Sequence, residues 1–146
     1  MKKFLFATLI ALIGLAQQVF AGDVVNNTSC DVKVTAVAYN ISTCTVSLTC
    51  MSVTVSAHSS ATLPGCIISS TTELLGFNVC WNVISCGTPE CVSIGNSAGP
   101  YPCTNYPAGP VYLPTAACST CAASGAATVK VHWVYLPTGV ADLVIG

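Results

Sequence analysis

The stretch Gly95-Asn96-Ser97-Ala98-Gly99 has the G-x-S-x-G spacing that holds a nucleophilic serine on a tight strand-to-helix turn. That chemistry needs a helix directly after the serine, to hold the turn, and a histidine base backed by a carboxylate. Pro100, Tyr101 and Pro102 follow instead, and no aspartate lies between His58 and Ser97. An ordinary Gly/Ser turn is expected there. Cys118-Ser119-Thr120-Cys121 has the C-x-x-C spacing of redox and zinc sites. A redox pair opens a helix in a βαβ setting, and a zinc site adds a second C-x-x-C or a histidine pair. Neither context surrounds it, so it is expected to supply structural disulfides. His58 falls in a turn and His132 in the terminal hairpin, and both are expected to face solvent. Paired carboxylates for glycoside hydrolysis would have to come from Asp23, Asp31, Glu73, Glu90 and Asp142. None has a recognisable setting, and Asp23 is expected in a frayed terminus. No catalytic residue, metal ligand or cofactor is therefore assigned, and the chain is not expected to be an enzyme.

The chemistry that remains is contact. Tyr101, Tyr106 and Tyr112 stud a segment, residues 95–114, that is rich in proline and glycine. Tyrosines on a loop stiffened by proline lose little entropy on binding, so these three form the candidate binding surface. The alternative is that they fold back to cover the end of the domain. Asn26, Asn27 and Asn40 each begin an N-x-S/T triplet. They are expected as turn residues whose side chains hydrogen-bond to the backbone two residues on.

What positions these residues starts with where the chain is made to go. Lys2 and Lys3 precede an apolar run from Phe4 to Ala16, and Val19 and Ala21 offer compact side chains before Gly22. Residues 1–21 are expected to be a cleavable secretory signal. Residues 22–146 are expected to form a single disulfide-rich domain, secreted to the extracellular space, or to the periplasm of a Gram-negative cell. The run is short for a membrane span, which needs about 20 residues.

All ten cysteines follow the signal: Cys30, Cys44, Cys50, Cys66, Cys80, Cys86, Cys91, Cys103, Cys118 and Cys121. Their even number and the oxidising destination predict that all are disulfide-bonded. Cys44 and Cys50 share one strand face, as do Cys80 and Cys86. Six strand residues span about 20 Å, too far for either pair to close on itself. The equal spacing lets two antiparallel strands join twice, by Cys44–Cys86 and Cys50–Cys80; the alternative is that these cysteines take other partners.

Beyond the signal the chain carries two cations, Lys33 and Lys130, against five anions, and no arginine. Nucleic acids and anionic membrane surfaces need several positive charges, so both are excluded as partners. With 53% hydrophobic residues the chain can still bury a core. So little charge repels copies of itself poorly, which favours association with a partner or with itself.

The hydrophobic period is two. Val32, Val34, Ala36 and Ala38 alternate with Asp31, Lys33, Thr35 and Val37, and Cys44, Val46, Leu48 and Cys50 alternate with Thr45, Ser47 and Thr49. Val53, Val55 and Ala57 resume out of phase, which predicts a bulge or a tight turn near Met51–Ser52. Residues 74–86 form a long strand candidate with Phe77, Val79, Trp81 and Val83 on one face. Residues 118–127 hold the only plausible helical turn. Pro137-Thr138-Gly139 separates two strand-like runs, 128–136 and 140–145, as a terminal hairpin. The fold is expected to be all-β, an antiparallel β-sandwich or Greek-key barrel of about seven to eight strands. It resembles many bacterial β-sandwich modules. It departs from true immunoglobulin domains, because Trp81 directly follows Cys80.

The expected function is a non-catalytic module for extracellular binding or adhesion, its partner an extracellular protein or glycan. The alternative is a self-associating structural subunit of a surface layer or fibre, with the apolar terminal strand pairing at a sheet edge.

Overall fold

The computed structural model describes residues 17–18, 22–67, 71–82, 84, 87, 90–97, 106–116, 118–122 and 126–146. Eleven strands lie among the described residues: β1 (Gln17–Gln18), β2 (Asp23–Asn26), β3 (Val32–Asn40), β4 (Val46–Val55), β5 (Ser59–Thr62), β6 (Cys66–Ile67), β7 (Thr72–Trp81), β8 (Cys91–Gly95), β9 (Val111–Pro114), β10 (Thr128–Tyr135) and β11 (Ala141–Ile145). Among the described residues, nine of them build two sheets, ordered β5-β2-β11-β10-β9 and β4-β3-β7-β8. β1 and β6 form a separate two-residue ladder. No helix among the described residues is long and apolar enough to cross a membrane.

The alternation seen in the sequence sets the sandwich. Val32, Val34, Ala36 and Ala38 of β3 and Phe77, Val79 and Trp81 of β7 turn one face of their sheet inward. They pack against Val24, Leu113, Val129, Val131, Leu143 and Ile145 of the other sheet. Fully burying each large side chain contributes on the order of 1.5–3 kcal/mol. The bulge falls one residue before its expected place. Thr35 pairs with Ser52 and Val37 with Thr49, so β4 carries one extra residue at Cys50–Met51. The phase change in the sequence is that extra residue, which lets Val53 and Val55 regain the core side.

Two short strands raise the count above expectation. Asp23–Asn26, expected to fray, is β2, held by β5 on one side and β11 on the other. Its pairing with β11 is parallel, so the sheets are largely rather than wholly antiparallel. Val111–Pro114, expected in an irregular loop, is the edge strand β9, where prolines are tolerated. The terminal strand β11 lies between β2 and β10, not at an edge. The hairpin puts β10 on one side of it, and β2 takes the other. Residues 118–122 form a turn and no helix.

Asn26 is fully buried and joins the sheets. Its amide donates to the carbonyls of Cys30 (2.8 Å), Val55 (3.1 Å) and Ser56 (3.0 Å), and its Oδ1 accepts from the Thr28 N–H (3.0 Å). Asn40 makes the expected local turn, its Oδ1 accepting from the N–H groups of Ser42 and Thr43.

Three disulfides lie wholly within the described residues: Cys30–Cys121, Cys50–Cys66 and Cys80–Cys91. Cys44 and Cys118 are disulfide-bonded as well, and Cys86 and Cys103 lie outside the described residues. The expected Cys50–Cys80 bond is not formed. Its premise was that β4 and β7 are neighbours, but β3 lies between them. Two strand spacings amount to about 9.6 Å, beyond the reach of a disulfide. Cys80 instead bonds its direct cross-strand partner on β8, and Cys50 reaches Cys66 on β6.

Candidate functional site

The site begins with a mismatch in length. β10 is eight residues long and β9 only four. On the side of β11, the Gly146 N–H donates to the Lys130 carbonyl (2.9 Å) and the Leu136 N–H to the Val140 carbonyl (2.8 Å). In an antiparallel ladder a residue exchanges both main-chain bonds with one neighbour, and the next residue turns to the other side. The even residues of β10 therefore bond β11, and the odd ones face β9. Val129 and Val131 meet Leu113 and Val111 there. β9 begins at Val111, so among the described residues no strand stands opposite Trp133 and Tyr135. Their main-chain N–H and C=O groups form an open edge.

The chain leaves β10 at that point because it is held by the other sheet. The Pro107 carbonyl accepts from the Gly95 N–H at the end of β8 (2.6 Å), and Gly109, at φ 101°, turns the chain toward β10. A side chain at Gly95 would stand 2.8 Å from the Tyr106 carbonyl oxygen. The glycine of the G-x-S-x-G stretch thus permits a close backbone approach. Two side chains of β10 reach across to the same segment. The Trp133 indole N–H donates to the Gly95 carbonyl (2.9 Å), and the Tyr135 hydroxyl to the Ser97 carbonyl (2.9 Å). Trp133 also packs edge-on against Phe77, with ring centroids 5.8 Å apart.

Between the 108–110 segment and β10 lies a groove of about 300 Å³ lined by Ala108, Gly109, Pro110, Lys130, His132, Trp133 and Tyr135. Tyr112, opposite Lys130, stands exposed on the same outer face of the sheet. Val134, Tyr135 and Leu136 are exposed apolar residues beside it. His132 is half-buried, and its Nδ1 is enclosed without a hydrogen-bond partner. Burial, and then the neighbouring Lys130 ammonium, hold the imidazole pKa below its ordinary 6.5, so the ring is neutral at pH 7. A second cavity of about 320 Å³ adjoins Cys121, Ala122, Val129 and Gly146.

In comparisons with known proteins, no family model matches the chain, and neither a curated protein nor a solved structure matches it.

The candidate tyrosines do not share one surface. Tyr106 folds back on the outer face of the β4-β3-β7-β8 sheet, packing on Val37, Tyr39 and Leu75, and its hydroxyl donates to Asn78 Oδ1 (3.0 Å). Tyr112 faces outward from the opposite sheet, and Tyr101 lies outside the described residues. No hydrogen bond joins Ser97 to either imidazole. Cys121 of the C-x-x-C pairs with Cys30, 91 residues away, and both Cys118 and Cys121 are buried. His58 lies exposed in its turn. Three of the carboxylates have structural partners. Asp31 accepts from the Ala57 N–H, Asp142 from the Asp23 N–H, and Glu73 from the Tyr39 hydroxyl. Among the described residues no group of three His, Cys, Asp or Glu side chains is placed to hold a metal.

Sequence reasoning missed the groove. Its signal was present in Pro110, which precedes a strand much shorter than the one it pairs with.

Proposed function

We propose that this chain is an exported, non-catalytic binding module that engages an extracellular partner, a protein or a glycan, at the groove beside Trp133 and Tyr135. The open main-chain edge carries this reading. It sets unpaired donors and acceptors among exposed aromatic side chains, a combination that suits recognition. Support comes also from the structural roles of the G-x-S-x-G and C-x-x-C stretches. Gly95 accommodates a close backbone approach, Ser97 anchors Tyr135 through its carbonyl, and both cysteines of the C-x-x-C are disulfide-bonded. The disulfides suit an oxidising compartment, as export through the 1–21 signal requires.

A microarray of extracellular proteins and glycans, probed with the exported form, tests the reading. The expected result is a set of ligands whose binding is lost on Tyr135→Ala or Tyr112→Ala and kept on Met51→Ser, an exposed position on β4. Ligands that bind all three variants alike would refute the groove as the site. The self-association alternative loses the edge it relied on, because β11 is interior. Light scattering is expected to show a monomer at high concentration, and a stable oligomer would favour that alternative instead.

A further inference from the structure

We propose that the groove accepts the C-terminal end of an extended polypeptide, which adds as a short antiparallel strand to Trp133–Tyr135 and sets its terminal carboxylate beside Lys130. The inference rests on the reading of the groove as the binding site and names the class of ligand.

Three observations carry it. First, the open groups are main-chain N–H and C=O on alternate residues of a strand, at a repeat of about 6.8 Å. An extended polypeptide matches that repeat with its own alternating groups. Second, direction fixes which end arrives where. β9 runs antiparallel to β10, and a guest in the same line runs from the side of Tyr135 toward Val131. Its C-terminus is then stopped by Pro110 and Val111, next to His132 and Lys130. Third, the charge there is unanswered. Lys130 is exposed and makes no ion pair among the described residues, and the neighbouring His132 has an enclosed nitrogen without a partner. A chain end brings one carboxylate to that place, whereas a chain passing through would collide with the start of β9. About three guest residues fit the open stretch, in keeping with a groove at the small end of ligand sites.

The test uses the exported protein labelled with nitrogen-15 and a pool of acetylated hexapeptides, randomised at their last four positions and ending in free carboxylates. Two companion pools end in carboxamides or carry N-methyl groups on alternate pairing-side amides. The free-acid pool is expected to shift the amide resonances of Trp133 and Tyr135 and to bind about threefold to fivefold tighter than the carboxamide pool. Lys130→Gln is expected to erase that difference while leaving the weaker binding, and N-methylation to abolish binding. Equal binding of acid and amide pools, undiminished binding after N-methylation, or no response at Trp133 and Tyr135 at millimolar peptide each overturns the proposal. Glycans that compete at the groove while the peptide pools fail would leave the binding reading standing and remove the peptide one. Failure of both ligand classes at the groove would remove both.

Discussion

Replacing Asn26 with alanine is expected to destabilise the fold by about 3 kcal/mol, and the structure says how the cost is made up. The three carbonyls that Asn26 serves keep other donors. Cys30 still accepts from the Thr28 hydroxyl, and Ser56 from the Ser59 hydroxyl. Val55 keeps its ladder partner, because the Asn82 N–H bond to Asp31 sets the odd residues of β3 toward β7 and leaves Val32 facing Val55. The Thr28 N–H has no such reserve, since its acceptor is Asn26 Oδ1. A buried N–H left unpaired costs about 2 kcal/mol, and the surrounding weakened bonds add about 1 kcal/mol. Asn26→Asp should be worse at neutral pH, because its second oxygen would face three carbonyls in a site with no exposure. Its folded-state pKa then lies above the unfolded one, about 3.9, so the added deficit is absent below about pH 4 and grows as pH rises. Urea unfolding followed by tryptophan fluorescence measures both, with Trp81 buried as a reporter. A loss below about 1 kcal/mol for Asn26→Ala, or a pH-independent deficit for Asn26→Asp, would refute the reasoning.

Other outcomes follow from the same geometry. The folded pKa of His132 lies below its unfolded value, so its contribution is neutral above that value and destabilising as pH falls from about 6.5 through the folded pKa. Lys130→Gln should raise the His132 pKa only partway, since burial is the larger cause, and an imidazole titration by NMR that shows no change would contradict this. Partial reduction with alkylation should label Cys80 and Cys91 before the other two pairs, because Cys91 is exposed while Cys66 and Cys121 are buried. Earlier labelling of Cys30 and Cys121 would count against the burial assigned here. Converting both members of Cys30–Cys121 to alanine should cost about 4 kcal/mol, against about 3 kcal/mol for Cys80–Cys91, read from urea midpoints, because the first closes the far longer loop.

The strands were legible in the sequence where one period governed them. The terminal hairpin followed from alternation around Pro137-Thr138-Gly139, and the β4 bulge from a change of phase that only an extra residue repairs. The partner of Cys50 was not legible, because spacing within two strands cannot show that a third, β3, is inserted between them. The same limit hid β2, whose four residues gain their order from β5 and β11, far away in the chain. Of the candidate surface, Tyr112 is exposed and Tyr106 is committed to Asn78. Nothing local to either tyrosine distinguishes them, since the loop's path is set by the Pro107 carbonyl bonding to Gly95. The groove depends on where β9 stops against β10, a property of two strands at once.

Amide hydrogen exchange along β10, read residue by residue, probes the open edge most directly. The amides of His132, Val134 and Leu136, bonded to β11, and those of Val129 and Val131, covered by β9, should exchange slowly, while Trp133 and Tyr135 between them exchange fast. Protection at Trp133 and Tyr135 equal to that of their neighbours in the protein alone would mean that the edge is already occupied, and the account of the groove would fail.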